Sequence, residues 1–141
     1  MSTKVILTRG IPGSGKSTWA KAWVKQSPST RGRVNRDDIR MTMFGVPHGV
    51  DEKTVTRVQN AMIRALIAAG KDVVVDNTNL NPIYANRLAS FVTSLGAQVE
   101  YREFEIDVET AILRDAQRAD PVGAEVVRSF YQTYRASTDG Q

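Results

Sequence analysis

The sequence predicts an α/β fold, a single domain in which a mostly parallel sheet is flanked by helices. Two apolar, β-branched runs at residues 4–8 and 71–75 have the composition of strands buried on both faces. Segments with helical spacing of apolar residues lie between the strand-like runs, and this alternation is typical of parallel sheets. The length of 141 residues suits one such domain, which we expect to occupy residues 1–141.

The elements of the first third follow from local signals. The run 4–8 predicts the first strand, and an apolar stripe predicts a helix over 16–25. Breakers over 27–32 predict a loop. A short extended piece at Val34 then leads into a helix that begins with acidic residues and ends before Gly45.

The longest predicted helix covers 51–69, where apolar residues line one face and Gly70 follows as a stop signal. The strand over 71–75 contains three consecutive valines, as a central strand of a parallel sheet requires. The remaining predicted elements are a helix over 83–95, a strand over 97–104, and helical sequence over 108–135 with a break at 120–123.

The composition excludes several kinds of site. Cysteine is absent, which excludes disulfides, thiolate nucleophiles and thiolate metal centres. The single histidine cannot build a histidine-rich metal site. Lysine and arginine number 19 against 15 acidic residues, a net charge of +4 that is compatible with a polyanionic partner. No membrane-spanning or signal-peptide run is found, so the sequence predicts a cytoplasmic protein without a membrane partner.

The segment GIPGSGKS at 10–17 matches the phosphate-binding pattern G-x-x-x-x-G-K-[ST] between a predicted strand and a predicted helix. Glycines let backbone N–H groups turn toward phosphates, and the helix N-terminus adds positive potential. We expect Lys16 to reach the β and γ phosphates and Ser17 to place its hydroxyl on Mg²⁺. GTPases, motor ATPases and small kinases share the motif, and the short chain favours an ATP-dependent kinase. The predicted nucleotide-binding residues here are Gly10, Ile11, Pro12, Gly13, Ser14, Gly15, Lys16, Ser17 and Thr18.

A second charged group, NRDDIR at 35–40, follows the predicted second strand. A kinase needs a carboxylate to accept the proton of the attacking hydroxyl, and Asp37 lies just past the carboxyl end of that strand. Arg36 and Arg40 are four residues apart, so on a helix they share a face that could position a charged acceptor. The same residues could instead form an acidic helix cap beside a solvated charge cluster.

Two further candidates lie later in the chain. Asp76 ends the valine strand in the form of an acid that positions Mg²⁺ or its water shell, although a strand-ending aspartate is also an ordinary turn residue. Arg114 and Arg118 precede the break between the last helices, as in a mobile lid that closes over ATP and stabilises the transferring phosphoryl group. The alternative for both arginines is a solvated basic face paired with Asp115 or Glu109.

Taken together, these segments resemble the kinase domain of the bacteriophage 5′-polynucleotide kinases. The resemblance rests on GIPGSGKSTWA at 10–20, NRDDIR at 35–40 and DNTNLNP at 76–82, and it extends in order to VVRSFY at 126–131. It implies a P-loop NTPase-type fold and transfer of the ATP γ-phosphate to the 5′-hydroxyl end of DNA or RNA. It also implies Mg²⁺ as cofactor and a role in nucleic acid repair.

The resemblance also implies residue roles. Asp37 would be the general base for the 5′-hydroxyl, and Arg40 would contact the acceptor's phosphate. Arg118 would act as a catalytic residue on the phosphates of the donor, with Arg114 nearby. Asp76 would be an active-site residue that pairs with Arg36 or supports the metal.

Some features depart from the family or leave alternatives open. Nothing resembles the Asp-x-Asp-Gly-Thr motif of the best-known phage enzyme's phosphatase domain, so we expect no 3′-phosphatase activity. The stretch between Arg40 and Val73 shows little motif similarity, which leaves the choice of DNA or RNA, the end geometry and self-association open. A kinase of a small hydroxylated molecule is one alternative. A non-catalytic, nucleotide-dependent nucleic-acid-binding switch is another.

Overall fold

The computed structural model describes residues 3–139 and confirms the α/β architecture. No helix among these residues is long and apolar enough to cross a membrane. The strands are β1 (Lys4–Arg9), β2 (Arg31–Val34), β3 (Asp72–Val75) and β4 (Gln98–Glu103). The helices are α1 (Lys16–Gln26), α2 (Arg36–Phe44), α3 (Glu52–Ala68), α4 (Pro82–Ser94), α5 (Val108–Ala116) and α6 (Ala124–Asp139).

The four strands form one parallel sheet in the order β2-β3-β1-β4. The two central strands are aligned with Val5 opposite Val73 and Leu7 opposite Val75, and all four side chains are fully buried. Parallel pairing brings the carboxyl ends of all strands to one edge, where ligands of open α/β sheets bind. The glycine loop, the start of α2 and Asp76 therefore meet at this edge.

Apolar packing fixes the helices around the sheet. One buried cluster joins the sheet to α3 and α4 through residues such as Val55 and Val92, and a smaller one joins it to α1. A third cluster contains Ile11 of the glycine loop together with Ala111 of α5 and Val127 of α6. The predicted lid helices are therefore anchored by apolar contacts to the loop that they are expected to cover.

The second strand begins earlier than the sequence predicts. Arg31 and Gly32, which fall in the predicted loop, pair with Asp72 and Val73 of β3. A Cβ atom at position 32 would lie 2.8 Å from both terminal methyl carbons of Leu66, so α3 packs where a side chain would stand. The glycine that signals a loop in the sequence thus allows close helix–strand packing.

Candidate active site

The glycine loop leaves β1 at Gly10 and ends in the first turn of α1. Gly13 and Gly15 have φ values of 84° and 97°, a left-handed conformation that favours glycine. A Cβ atom on Gly13 would lie 2.5 Å from the carbonyl oxygen of Ala111, so α5 closes tightly on the loop. The loop therefore has the curled backbone that the motif predicts for phosphate binding.

The side chain of Lys16 is buried inside this loop. Its Nζ donates to the carbonyl oxygen of Ile11 at 2.8 Å and to Oγ of Ser14 at 3.3 Å. Burial lowers the pKa of Lys16 to about 8, because a charged ammonium is poorly solvated there. A bound polyphosphate would supply the opposite charge that this environment lacks.

Three predicted site residues act electrostatically on this ammonium. Asp76 opposes the effect of burial on the pKa of Lys16, Arg118 adds to the lowering, and Asp37 raises the pKa slightly. The structure therefore brings the strand-end acid, the lid arginine and the proposed base within electrostatic reach of one lysine. No two of these three residues lie in the same sequence motif.

Asp76 is 1% exposed, and its partner differs from the one that the family resemblance implied. Oδ2 of Asp76 accepts from Nε of Arg33 at 2.8 Å and lies 2.7 Å from Nη2 of the same arginine. The expected pair between Asp76 and Arg36 is wrong. Arg33 is opposite Val74 in the sheet, and side chains alternate along strands, so Arg33 and Asp76 share a face.

The other carboxylate oxygen of Asp76 has no hydrogen-bond partner. Oδ1 is fully buried, and no donor among residues 3–139 reaches it. A buried, unpaired carboxylate oxygen next to a phosphate-binding loop suits a magnesium ion or one of its water ligands. The residues present therefore fit Mg²⁺, with Asp76 and the hydroxyl of Ser17 as the groups that would hold it.

The start of α2 is fixed to the end of β3 by two asparagines. Asn35 caps α2 by accepting from the backbone N–H of Asp38 at 2.9 Å, and its Nδ2 donates to the carbonyl oxygen of Asp76 at 2.6 Å. Asn77 accepts from the backbone N–H of Arg36 at 3.1 Å. These bonds position Asp37, whose side chain is 52% exposed and so open to a substrate.

The two arginines of α2 share a face, as predicted, and both contact Glu52 of α3. Nη2 of Arg40 lies 2.6 Å from Oε1 of Glu52, and Nη2 of Arg36 lies 3.1 Å from the same oxygen. Nη1 of Arg40 also donates to Oδ1 of Asp37 at 2.7 Å. Hydrogen bonds from Arg40, and to a smaller extent from Arg36, lower the pKa of Glu52 to about 2. The arginines form an organised cluster, since Arg40 is only 16% exposed.

The lid arginines lie on the side of the glycine loop next to α5. Nη1 of Arg114 is 3.5 Å from the carbonyl oxygen of Gly13. Arg118 pairs with Asp115, at 3.6 Å between Nη1 and Oδ1. Asp115 is buried and also accepts from the backbone N–H groups of residues 122–123. The pair with Asp115 is the one that the alternative interpretation named, and Arg118 is 44% exposed, but the partner carboxylate is buried.

Arg33 and Glu52 are the main site residues that sequence reasoning missed, and Asp115 was noted only as an ion-pair partner. Arg33 reaches a partner 43 positions away in sequence, and Glu52 is 12 positions from Arg40. Only the alternation of side chains along β2 could have indicated Arg33. No local signal marks Glu52.

Comparisons with known proteins agree with this geometry. A family described as AAA domain matches residues 5–139. A candidate bifunctional polynucleotide kinase/RNA ligase of Autographa californica nuclear polyhedrosis virus is 26% identical over 150 residues, covering 94% of this chain and 21% of the viral protein. The resemblance to polynucleotide kinases is therefore confirmed at the level of sequence similarity.

The structures of the Pnkp1/Rnl/Hen1 RNA repair complex and of the Pnkp1/Rnl/Hen1 complex share the fold. They match with TM-scores of 0.86 and 0.74, identities of 24% and 28%, and coverage of 99% and 84% of this chain. This chain spans 46% and 40% of those chains, less than half of their length. A gluconokinase from Sinorhizobium meliloti 1021 shares the fold at 16% identity and a TM-score of 0.57, covering 94% of this chain and 74% of its own.

Proposed function

Because this chain belongs to the AAA domain family of P-loop proteins, we propose that it is an ATP-dependent kinase of polynucleotide 5′-hydroxyl ends. The observation that carries the proposal is the exposed carboxylate of Asp37, bonded to Arg40 and within electrostatic reach of Lys16. Similarity to polynucleotide kinases supports a nucleic acid acceptor, DNA or RNA. We further propose that residues 1–141 form the kinase domain.

The reaction is an in-line displacement at the γ-phosphorus of ATP. The glycine loop and Lys16 hold the phosphates of the donor. Asp37 accepts the proton of the 5′-hydroxyl while the hydroxyl oxygen bonds to the γ-phosphorus. The bond from this phosphorus to the β,γ-bridging oxygen breaks, and ADP is released. Arg118 stabilises the equatorial oxygens of the transferring group. Mg²⁺, held through Asp76 and Ser17, supplies charge neutralisation on the phosphates when bound.

Arg36 and Arg40 are suited to bind the backbone of the acceptor. Glu52 holds both guanidinium groups on one side of α2, so neither has to be ordered when the substrate arrives. Arg40 also contacts Asp37, which links the acceptor phosphate to the base. A kinase of a small neutral hydroxyl compound would have no use for this paired arrangement.

The direct test is transfer of label from γ-labelled ATP, with Mg²⁺, to a 5′-hydroxyl oligonucleotide and to the same strand carrying a 5′-phosphate. We expect label only on the 5′-hydroxyl strand. Asp37→Asn should lower kcat by roughly 10²–10⁴-fold, because a general base contributes about that much, and should leave ATP binding intact. Glu100→Gln removes an exposed carboxylate of β4 that pairs with Lys4 outside the site, and it should retain activity.

Two results would contradict the proposal. Label on a sugar or nucleoside, and on no DNA or RNA end, would indicate a small-molecule kinase like the gluconokinase that shares the fold. Full transfer by Asp37→Asn would show that another group accepts the proton.

A further inference from the structure

One face of α2 continues the proposed active site with exposed apolar side chains. Asp37, Arg40, Met41 and Phe44 occupy positions i, i+3, i+4 and i+7 of the helix. Residues at this spacing lie on one face, one above another. The face therefore begins with the proposed base, passes the acceptor-binding arginine and ends in a thioether and an aromatic ring.

The apolar half of this face is not packed into the hydrophobic core that residues 3–139 form. Met41 and Phe44 are 44% and 42% exposed, and neither belongs to the apolar clusters around the sheet. Ile39, on the opposite side of α2, is the buried residue of the helix. The fold therefore does not need Met41 and Phe44 for its core.

We propose that Met41 and Phe44, the apolar platform, bind the nucleobase of the second nucleotide of the acceptor strand. This inference rests on the proposed function. Along the axis of α2, Arg40 lies about 4.5 Å and Phe44 about 10 Å beyond Asp37, at 1.5 Å per residue. Bases stacked along a strand are about 3.4 Å apart. For a strand that runs along α2 with its 5′-hydroxyl at Asp37 and its first phosphate at Arg40, one further step of about 3.4 Å ends about 8 Å from Asp37. This point lies between Met41, at about 6 Å, and Phe44, so the second base reaches the platform.

The chemistry of the platform suits any base. Aromatic rings stack on the π-faces of all four bases, and the polarizable methionine sulfur adapts to the shape of its partner. The platform therefore raises affinity for strands of two or more nucleotides without selecting their sequence. A nucleoside 3′-phosphate, which has the first phosphate but no second base, gains nothing from it.

The test measures kcat and KM for three acceptors with wild-type protein, Phe44→Ala and Met43→Ala. The acceptors are a nucleoside 3′-phosphate, a 5′-hydroxyl oligonucleotide, and the same oligonucleotide with an abasic second position. Met43 is the matched control, because it is 42% exposed on the same helix but lies about 100° away from Phe44.

We expect Phe44→Ala to raise KM for the intact oligonucleotide about tenfold with kcat little changed, the size of one lost stacking contact. The abasic oligonucleotide should show the same rise with wild-type protein and no further rise with Phe44→Ala. KM for the nucleoside 3′-phosphate should not change in any variant. Met43→Ala should behave as wild type.

The outcomes separate this inference from the proposed function. If wild-type protein phosphorylates none of the three acceptors, the proposed function fails. If it phosphorylates them and KM is the same for intact and abasic strands, the platform is wrong and the kinase assignment stands. The abasic comparison needs only wild-type protein, so it decides the matter even if Phe44→Ala does not fold. A change of oligomeric state in Phe44→Ala, with equal KM for both strands, would assign the surface to self-association.

Discussion

At the scale of single residues, burial of the charged Lys16 side chain destabilises the folded protein, and a bound polyphosphate would offset this destabilisation. The buried ammonium has two neutral oxygen acceptors, from Ile11 and Ser14, and its pKa lies near 8 because of burial. The unfolded chain holds the same proton up to a pKa near 10.5. Below pH 8 the charged lysine therefore destabilises the folded state, and this penalty disappears as the pH rises from 8 to 10.5.

Replacing Lys16 by methionine should therefore stabilise the nucleotide-free protein while abolishing ATP binding. The free energy of unfolding at pH 7 should rise by up to about 3 kcal/mol, the value of a pKa difference of this size. The increase in stability that the wild type shows between pH 8 and 10.5 should be absent. Urea unfolding across this pH range and calorimetric titration with ATP measure both effects.

The control for this experiment is Lys21→Met, which removes an exposed lysine from the same helix. It should leave ATP binding and the stability at pH 7 close to wild type. Parallel stability curves for wild type and Lys16→Met would show that burial does not disfavour the charge of Lys16.

At the scale of elements, the connection between α5 and α6 depends on one buried carboxylate. Asp115 accepts from the backbone N–H groups of Val122 and Gly123 at 3.1 and 3.0 Å and pairs with Arg118. It therefore fixes both the path of the loop and the arginine that is proposed to act on the donor. Apolar contacts of Ala111 and Val127 with Ile11 hold the same two helices to the glycine loop.

Asp115→Ala should loosen this connection and weaken binding of the donor. Two N–H groups in part-buried hydrogen bonds lose their acceptor, at a cost of up to about 1–3 kcal/mol each where water does not replace it. We expect faster proteolytic cleavage within 117–123 and a higher KM for ATP, with KM for the acceptor little changed. Limited proteolysis and steady-state kinetics measure these changes.

Asp120→Ala is the matched control, because Asp120 is an exposed residue of the same loop. It should resemble wild type in both assays. Equal cleavage rates and equal KM values for the two variants would mean that Asp115 does not hold the loop.

At the scale of the whole molecule, the net charge of +4 gives a weak general attraction for polyanions, and its effect depends on where the arginines lie. Glu52 holds Arg36 and Arg40 together on α2, where the acceptor is proposed to bind. Arg114 and Arg118 lie on the side of the glycine loop next to α5. In the proposed function, the two groups of arginines would bind the two phosphate-bearing substrates.

The proposed acceptor contacts predict a measurable dependence on salt. For single strands, each neutralised phosphate contributes a slope of about 0.7 to log KM against log salt concentration. Arg40→Gln should lower the slope for an oligonucleotide acceptor by about 0.7 and raise KM. Steady-state kinetics between about 50 and 300 mM NaCl give the slope, since competition with salt is strong over this range.

Arg128→Gln makes the same change of net charge on α6, where Arg128 pairs with Glu109. It should leave the slope unchanged. Equal reductions of the slope in both variants would show that the acceptor senses only net charge, and that Arg40 does not contact a phosphate.

Features that depend on neighbours in the chain follow from the amino-acid sequence alone. The valine strand, the glycine loop and the shared face of Arg36 and Arg40 all follow from local spacing, and the structure confirms them. At Gly32 the sequence predicted a loop, but the structure has a strand. The local pattern there did not show that the glycine allows packing against Leu66.

Which charged side chains pair with each other depends on tertiary packing. Strand register places Arg33, and not Arg36, against Asp76, and packing of α3 against α2 brings Glu52 to Arg40. Closure of α5 over the glycine loop likewise places Arg118 near Lys16. Such pairs join residues far apart in the chain, and side-chain direction within a sheet or helix pair is fixed only when the elements pack. Local motifs and spacing therefore identified Asp76 and Arg40, but their partners Arg33 and Glu52 were set by the packing of the elements.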